Sequence, residues 1–279
     1  MTAKAGPSNL RQRVVSAIVL VAVALALTWA GGVWYRLLAA AIAAAVLYEW
    51  TAMAMAEEAG QAHRAVLAAL LAGLLIMLLF GFSIASLLLM LVCAAAAGAV
   101  HAAREKAGFW PVAGLAYAGL CAVSLSALRG GDAAGLAATL FLFAVVWATD
   151  IAAYFTGGTF GGPKLAPSIS PGKTWSGAVG GTAAAIVAGL AVAALYGSSL
   201  GWGALFLLAL ALSVVSQVGD LFESSLKRRF GAKDSSQLIP GHGGVMDRVD
   251  GLAAAAFALF VIGALVAGAD TPAHAFFAR

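Results

Sequence analysis

Residues 201–268 read GWGALFLLALALSVVSQVGDLFESSLKRRFGAKDSSQLIPGHGGVMDRVDGLAAAAFALFVIGALVAG. Two apolar runs, 201–221 and 251–268, enclose a segment in which charge is concentrated. Gly219–Gly251 holds Asp220, Glu223, Asp234, Asp247 and Asp250, with Lys227, Arg228, Arg229, Lys233 and Arg248. These are ten charged residues of a chain that has 16 basic and 12 acidic ones in all. A membrane-crossing helix needs about 20 mostly apolar residues, so the stretch predicts two spans joined by a polar segment at the membrane surface. The rest of the chain agrees. Its 279 residues are 63% hydrophobic and 10% charged, with a mean hydropathy of +0.98. Soluble domains carry about a quarter charged residues, so a soluble fold is excluded. No polar block is long enough for a separate soluble domain, and residues 1–279 read as one membrane domain.

Working outward, apolar segments fall near 14–31, 33–55, 65–82, 84–100, 111–128, 136–156 and 176–197, in addition to the two above. The expected fold is an all-α, polytopic membrane protein with about nine transmembrane helices. Gly31-Gly32, Gly81-Phe82-Ser83 and Gly197-Ser198-Ser199 read as tight connections. The N-terminal Lys4, Arg11 and Arg13 before an apolar run look like a signal peptide, but the topology needs this segment as a retained first span. With the N-terminus cytoplasmic, 13 of the 16 basic residues lie inside and only Arg36, Arg129 and Arg279 lie outside. That asymmetry fits the positive-inside rule. It leaves residues 1–130 as a set of N-terminal helices and 136–268 as the helices that carry the cytoplasmic loops 157–175 and 222–250. Cys93 and Cys121 lie in apolar segments without C-x-x-C spacing, so neither a disulfide framework nor a thiolate metal site is indicated.

A solvated loop that merely fixes orientation is the plain reading of residues 219–251. The spacing argues for more. Asp220 and Glu223 lie three apart, as do Asp247 and Asp250, so on a helix each pair shares a face. Like charges side by side call for a cation between them. Pro240-Gly241-His242-Gly243-Gly244 lies between the pairs, and its missing side chains allow backbone N–H groups to approach an anion. Carboxylates for a metal, bases for phosphates and a glycine run together suggest a phosphorylated substrate handled with a divalent ion.

A second polar segment follows Asp150, a carboxylate in apolar sequence and therefore a functional candidate. Gly157–Gly177 contains three prolines and six glycines, which predicts turns and excludes a continuous helix. Gly172-Lys173-Thr174 resembles the end of a P-loop, but Pro167 occupies the required glycine position and no strand pattern precedes it. Glu49, between Tyr48 and Trp50, reads equally well as a snorkelling interfacial residue, and is left out of the site. Gly177, Gly180, Gly181 and Gly189 have the small-residue spacing of close helix packing.

The run S-x-L-K-R-x4-K-D-S-x2-L-I-P-G-H-G-G-x-M-D-R-x-D, from Ser224 to Asp250, closely resembles the signature of the phosphatidate cytidylyltransferases, or CDP-diacylglycerol synthases. Asp150, Tyr154, Gly158, Phe160-Gly161, Lys164-Leu165, Pro167, Ser170-Pro171, Lys173-Thr174 and Gly177 resemble a second block of that family. Thr159 and Gly162 depart from it where basic residues are common, and Ser176 where Glu or Gln is frequent. The likeness is most secure over residues 150–251.

The resemblance implies cytidylyl transfer from CTP to phosphatidic acid, giving CDP-diacylglycerol and pyrophosphate for phospholipid synthesis. Mg²⁺ is the expected cofactor, with room for a second cation, and Asp220 and Asp247 are the expected ligands. Asp250 and Glu223 would support them or serve as ligands of the second cation. Lys227, Arg228, Lys233, Arg248, Lys164 and Lys173 would hold phosphates, with Asp150, Ser170, Thr174, Gly241, His242, Gly243 and Gly244 completing the substrate site. The expected partners are the two substrates, the lipid bilayer and a second copy in a homodimer. No nucleic-acid partner is expected. The expected location is a bacterial-type inner membrane. A transporter would instead gather polar groups near the bilayer midplane in two matching halves, and the motif of the CDP-alcohol phosphatidyltransferases is absent.

Overall fold

A computed structural model describes residues 7–55, 60–239, 241 and 243–277, with side chains described from Val14 onward. Among the described residues the chain forms nine α-helices, a short hairpin and a final 3₁₀ turn. The order is α1 (Pro7–Ala30), α2 (Gly32–Ala54), α3 (Gln61–Phe80), α4 (Ile84–Glu105), α5 (Trp110–Arg129) and α6 (Ala133–Phe160). The antiparallel hairpin of β1 (Lys164–Ala166) and β2 (Ser170–Thr174) comes next. Then come α7 (Trp175–Tyr196), α8 (Trp202–Arg229), α9 (Met246–Ala267) and the turn Pro272–Ala275. Helices α2 to α9 are long and apolar enough to cross a membrane, whereas the apolar part of α1, Val14–Ala30, is shorter. The protein is a multi-pass, all-α membrane protein.

Local chemistry sets the helix boundaries. Gly81 ends α3 in the left-handed region at φ 77°, and the Ser83 side chain accepts from Ser86 N at 3.3 Å to begin α4. Asp132 caps α6 by accepting from Gly135 N at 2.9 Å, and Thr174 caps α7 by accepting from Gly177 N at 3.1 Å. A side-chain acceptor of this kind satisfies an N–H that the helix itself leaves unpaired.

The two polar connections are shorter than the expected loops 157–175 and 222–250. Helix α6 continues through Gly157 and Gly158 to Phe160, and α8 runs past Glu223 and Lys227 to Arg229. The extension of α8 has a physical reason: Leu221–Arg229 contains no helix breaker, and Lys227, Arg228 and Arg229 complement the negative end of the helix dipole. Glu223 and the basic triplet are thus on a rigid helix, and Asp247 and Asp250 are in the opening turns of α9.

The N-terminal helices are not a separate body. Helix α5 is the most enclosed of the eight spanning candidates, and it packs against α2, α3, α4, α6 and α9. The most extensive helix pair is α6 with α7, and glycines make it close. A Cβ at Gly181 would come within 2.6 Å of Thr149 O, and one at Gly177 within 2.8 Å of Ala153 O. Backbone atoms cannot yield as a flexible side chain can. Gly181→Val should therefore destabilise the protein by about 1–3 kcal/mol, the usual range for an overpacked core. Thermal unfolding in detergent reads this, and an unchanged midpoint would refute the packing account.

At the end of the bundle where α1 finishes and α2 begins, arginines cap helix C-termini. Arg129 donates to Thr28 O at 2.6 Å, and Arg36 donates to Leu78 O at 3.3 Å and Leu79 O at 3.0 Å. These are two of the three basic residues that the charge pattern assigns to the outer side. Their carbonyl partners explain why positive charge is tolerated there. The C-terminal segment closes the same end, with Ser199 N donating to Phe276 O at 3.1 Å and His274 meeting Asp132 at 2.6 Å. Burial alone would raise the Asp132 carboxyl, but hydrogen bonds from Gly135 N–H and His274 outweigh it and hold the group below the usual carboxylate range.

Candidate active site

At the opposite end, α6, the hairpin, α7, α8 and α9 enclose a cavity of about 920 Å³. Helix α6 contributes Asp150 and Tyr154 to its wall, and the hairpin Lys164 and Lys173. Helix α8 adds Gln217, Asp220 and Lys227, while α9 adds Asp247, Arg248 and Asp250. Asp234 completes the wall from the loop between them. Among the described residues the lining thus carries five carboxylates against four cations. A polyanion would be poorly received without additional positive charge.

The carboxylates fall into two groups. Asp220 and Glu223 of α8 meet Asp250 of α9, with one oxygen from each lying within 4.8 Å of the others. Lys173 forms an ion pair with Asp220. Lys227 lies between the two groups, 2.8 Å from Glu223 Oε2 and 2.6 Å from Asp247 Oδ1. Asp247 is otherwise engaged by its own loop: it accepts from Ser235 N at 3.1 Å, Ser235 Oγ at 3.0 Å and Gly244 N at 2.8 Å. The family resemblance pairs Asp220 with Asp247 as metal ligands, whereas the fold groups Asp220 with Asp250 and Glu223. Residues three apart on a helix differ by about 60° of arc, and that rotation directs Asp250 to the carboxylates and Asp247 to Lys227.

The glycine run also gives one backbone donor to the protein itself. Gly241 and Gly243 adopt φ of 78° and 84°, the left-handed geometry that glycine alone enters freely. The residues that follow this turn present N–H groups to carboxylates of the protein itself. Gly244 N serves Asp247, while Val245 N and Met246 N donate to Glu49 at 2.8 and 2.7 Å. His242, expected in the substrate site, lies outside the described residues, as does Pro240.

Glu49 corrects the snorkelling alternative. It is 0% exposed and accepts four hydrogen bonds, two from those backbone groups and two from Ser235 Oγ at 3.0 Å and Ser236 Oγ at 2.6 Å. The next residue, Trp50, donates from Nε1 to Trp110 O at 2.8 Å and packs at a tilt against Tyr117 and Phe222. The only sequence signal for Glu49 was a carboxylate in apolar surroundings. Its partners lie 186–197 residues away and leave no trace in local spacing.

A family model described as "Cytidylyltransferase family" matches residues 11–266. The chain belongs to the cytidylyltransferase family. Curated relatives agree over nearly the whole length. The phosphatidate cytidylyltransferases of Brucella suis biovar 1 and Brucella melitensis biotype 1 are each 50% identical over 278 residues, covering 97% of this chain and 99% of the relative. That of Pseudomonas aeruginosa is 39% identical over 262 residues, covering 88% of this chain and 94% of the relative.

The donor set of this cytidylyltransferase suits the divalent ion that the family resemblance implies. Hard oxygen ligands from one or two carboxylates are what Mg²⁺ takes while it retains waters. Glu223 Oε1 is buried and, among the described residues, has no hydrogen-bond partner. An acceptor left unsatisfied at that depth is costly, and a cation beside Asp220 and Asp250 would relieve it.

Among the other residues expected in the site, Thr174 and Arg228 also make contacts within the protein, and Ser170 and Lys233 are not on the cavity wall. Thr174 touches the cavity, but its hydroxyl caps α7 and meets Ser176 Oγ at 3.0 Å. Ser170 is in β2, opposite Ala166, and is not on the cavity wall. Arg228 ties α8 to the hairpin through Ile169 O at 3.4 Å and to Ala232 O at 3.3 Å. Lys233 is exposed and away from the wall. Arg229 lies 4.7 Å over the Trp110 ring, a cation–π contact that helps moor the end of α8.

Proposed function

We propose that this protein transfers the cytidylyl group of CTP to phosphatidic acid, releasing pyrophosphate and leaving CDP-diacylglycerol in the bilayer. The observation that carries this reading is the Asp220, Glu223 and Asp250 cluster, flanked by Lys173 and Lys227, at the wall of a cavity built from the ends of membrane helices. Sequence identity to phosphatidate cytidylyltransferases over 97% of the chain supports the choice of substrates.

The chemistry needs little acid–base help. A lipid phosphate carries a charge of about −1.5 to −2 at neutral pH. One of its oxygens attacks the α-phosphorus of CTP, the α–β P–O bond breaks, and pyrophosphate leaves with the electron pair. Positioning and charge stabilisation are the main demands. Lys164, Lys173 and Arg248 would hold phosphate oxygens, with the Arg248 guanidinium suited to a two-point contact. Lys227, fixed between Glu223 and Asp247, would direct a constant positive charge toward the reacting phosphates. Mg²⁺ held by Asp220 and Asp250, with Glu223 behind them, would supply the charge neutralisation that a five-carboxylate wall otherwise lacks.

The same reading assigns these helix ends to the cytoplasmic face of an inner membrane, supported by the charge asymmetry of the sequence. It also includes the homodimer implied by the family resemblance, which the mass of the detergent-solubilised protein would test.

Purified protein in detergent micelles, given phosphatidic acid and CTP labelled at the α-phosphate, should move label into lipid. Transfer should cease with EDTA and return with Mg²⁺. No labelled lipid at any Mg²⁺ concentration from folded protein would sink the reading, and transfer undiminished by EDTA would remove the metal from it.

A further inference from the structure

We propose that Glu49 is a positioning residue for cytidylyl transfer, setting Lys227 in place through Ser235 and Asp247; this rests on the activity proposed above. Glu49 belongs to α2, outside the helices that line the cavity, and its side chain is wholly enclosed. A buried carboxylate needs compensation, and its four donors all come from the segment that leads into α9. Glu49 thereby fixes both ends of that segment, Ser235-Ser236 at the start and Val245-Met246 at the finish.

Asp247 depends on the same segment. Ser235 Oγ lies 3.0 Å from Glu49 Oε2 and 3.0 Å from Asp247 Oδ2, so two carboxylates share a hydroxyl that has one proton. Ser235 N and Gly244 N, whose chain neighbours bond Glu49, both donate to Asp247. Asp247 in turn holds Lys227 at 2.6 Å. The order of dependence runs from Glu49 to the loop, from the loop to Asp247, and from Asp247 to the ammonium on the cavity wall. Gly244 leaves no slack in this arrangement: a Cβ there would be 1.9 Å from Ser235 Oγ and 2.7 Å from Glu49 Oε1.

The test compares Glu49→Gln, Ser235→Ala and the double variant in the labelled-CTP assay. Removing an outer support of a charged site commonly costs about 10–100-fold, and Glu49→Gln should lower kcat on that scale, with KM for CTP within about threefold of wild type. Ser235→Ala retains the buried carboxylate and its other three donors, so it should fold even where Glu49→Gln does not, and should lower kcat about tenfold. The double variant should fall no further than Glu49→Gln alone, because both changes cut one line of dependence. Arg64→Ala provides the structural comparison. It removes donors to Thr51 O and Met55 O at the end of α2, and should lower the unfolding midpoint while kcat stays unchanged. Wild-type kcat in Ser235→Ala, or losses that multiply in the double variant, would overturn the proposal.

Hydrogen–deuterium exchange separates this outcome from failure of the activity itself. In Glu49→Gln the Ser235 and Gly244 amides, which bond Asp247 and not Glu49, should exchange faster along with Val245 and Met246. Faster exchange at Val245 and Met246 alone would show that Glu49 holds only its own contacts, and would refute the proposal whether or not wild type transfers label.

Discussion

Asp250→Asn should reduce label transfer from CTP to lipid by about 10²–10³-fold or more, the scale on which loss of one group that stabilises reaction charge acts. Its side chain is nearly isosteric, so the helix contacts should persist: Tyr117 OH near Asp250 O at 3.5 Å and the close approach of Gly219 to the same carbonyl involve only backbone. What disappears is one of the three carboxyl groups that meet between α8 and α9. The expected signature is a collapse of kcat together with a higher Mg²⁺ requirement, while the unfolding midpoint holds or rises as repulsion with Asp220 and Glu223 is relieved. Wild-type kcat and Mg²⁺ dependence in this variant would remove Asp250 from the metal site and return the choice to Asp247.

Lys227→Met should have the second large effect, and it should damage the fold as well as the reaction. The ammonium lies between Glu223 and Asp247, whose side chains are 2% and 7% exposed. Replacing it with an apolar chain of similar length leaves both carboxylates without their cation. Breaking a buried ion pair in this way costs about 3–5 kcal/mol. Activity should fall below detection and the thermal midpoint should drop clearly, in contrast to Asp250→Asn. Restoring neutrality in Lys227→Met/Glu223→Gln should recover part of the midpoint and none of the activity. A Lys227→Met protein as stable as wild type would show that the carboxylates find other partners, and would contradict the assigned geometry.

The contrast between these variants marks what could be read from local sequence. Asp220 and Glu223 were visible as partners because both occupy one helix, where a separation of three residues implies a shared face. Lys227 was visible as a basic residue near them, though not as the link to Asp247. Asp250 and Asp247 were both candidates; the family resemblance pairs Asp220 with Asp247, whereas the fold sets Asp220 beside Asp250 and Glu223. Which of two residues about 60° apart faces another helix depends on the rotation of α9 about its axis, and packing of α9 against α5 and α8 sets that rotation.

Hydropathy and charge by themselves determined the broad architecture: a chain this apolar must satisfy its backbone within helices in a membrane, so the spans follow from composition and length. The same sequence determined the chemical inventory, because carboxylates, lysines and glycines are legible wherever they stand. Tertiary structure alone decided how that inventory is used. It gave the Gly244 N–H to the protein's own Asp247, and it joined Glu49 to residues nearly 200 positions away. The reason is that hydrogen bonding between distant segments depends on how helices cross and rotate against one another, quantities fixed by the packing of the whole bundle and not by the residues on either side.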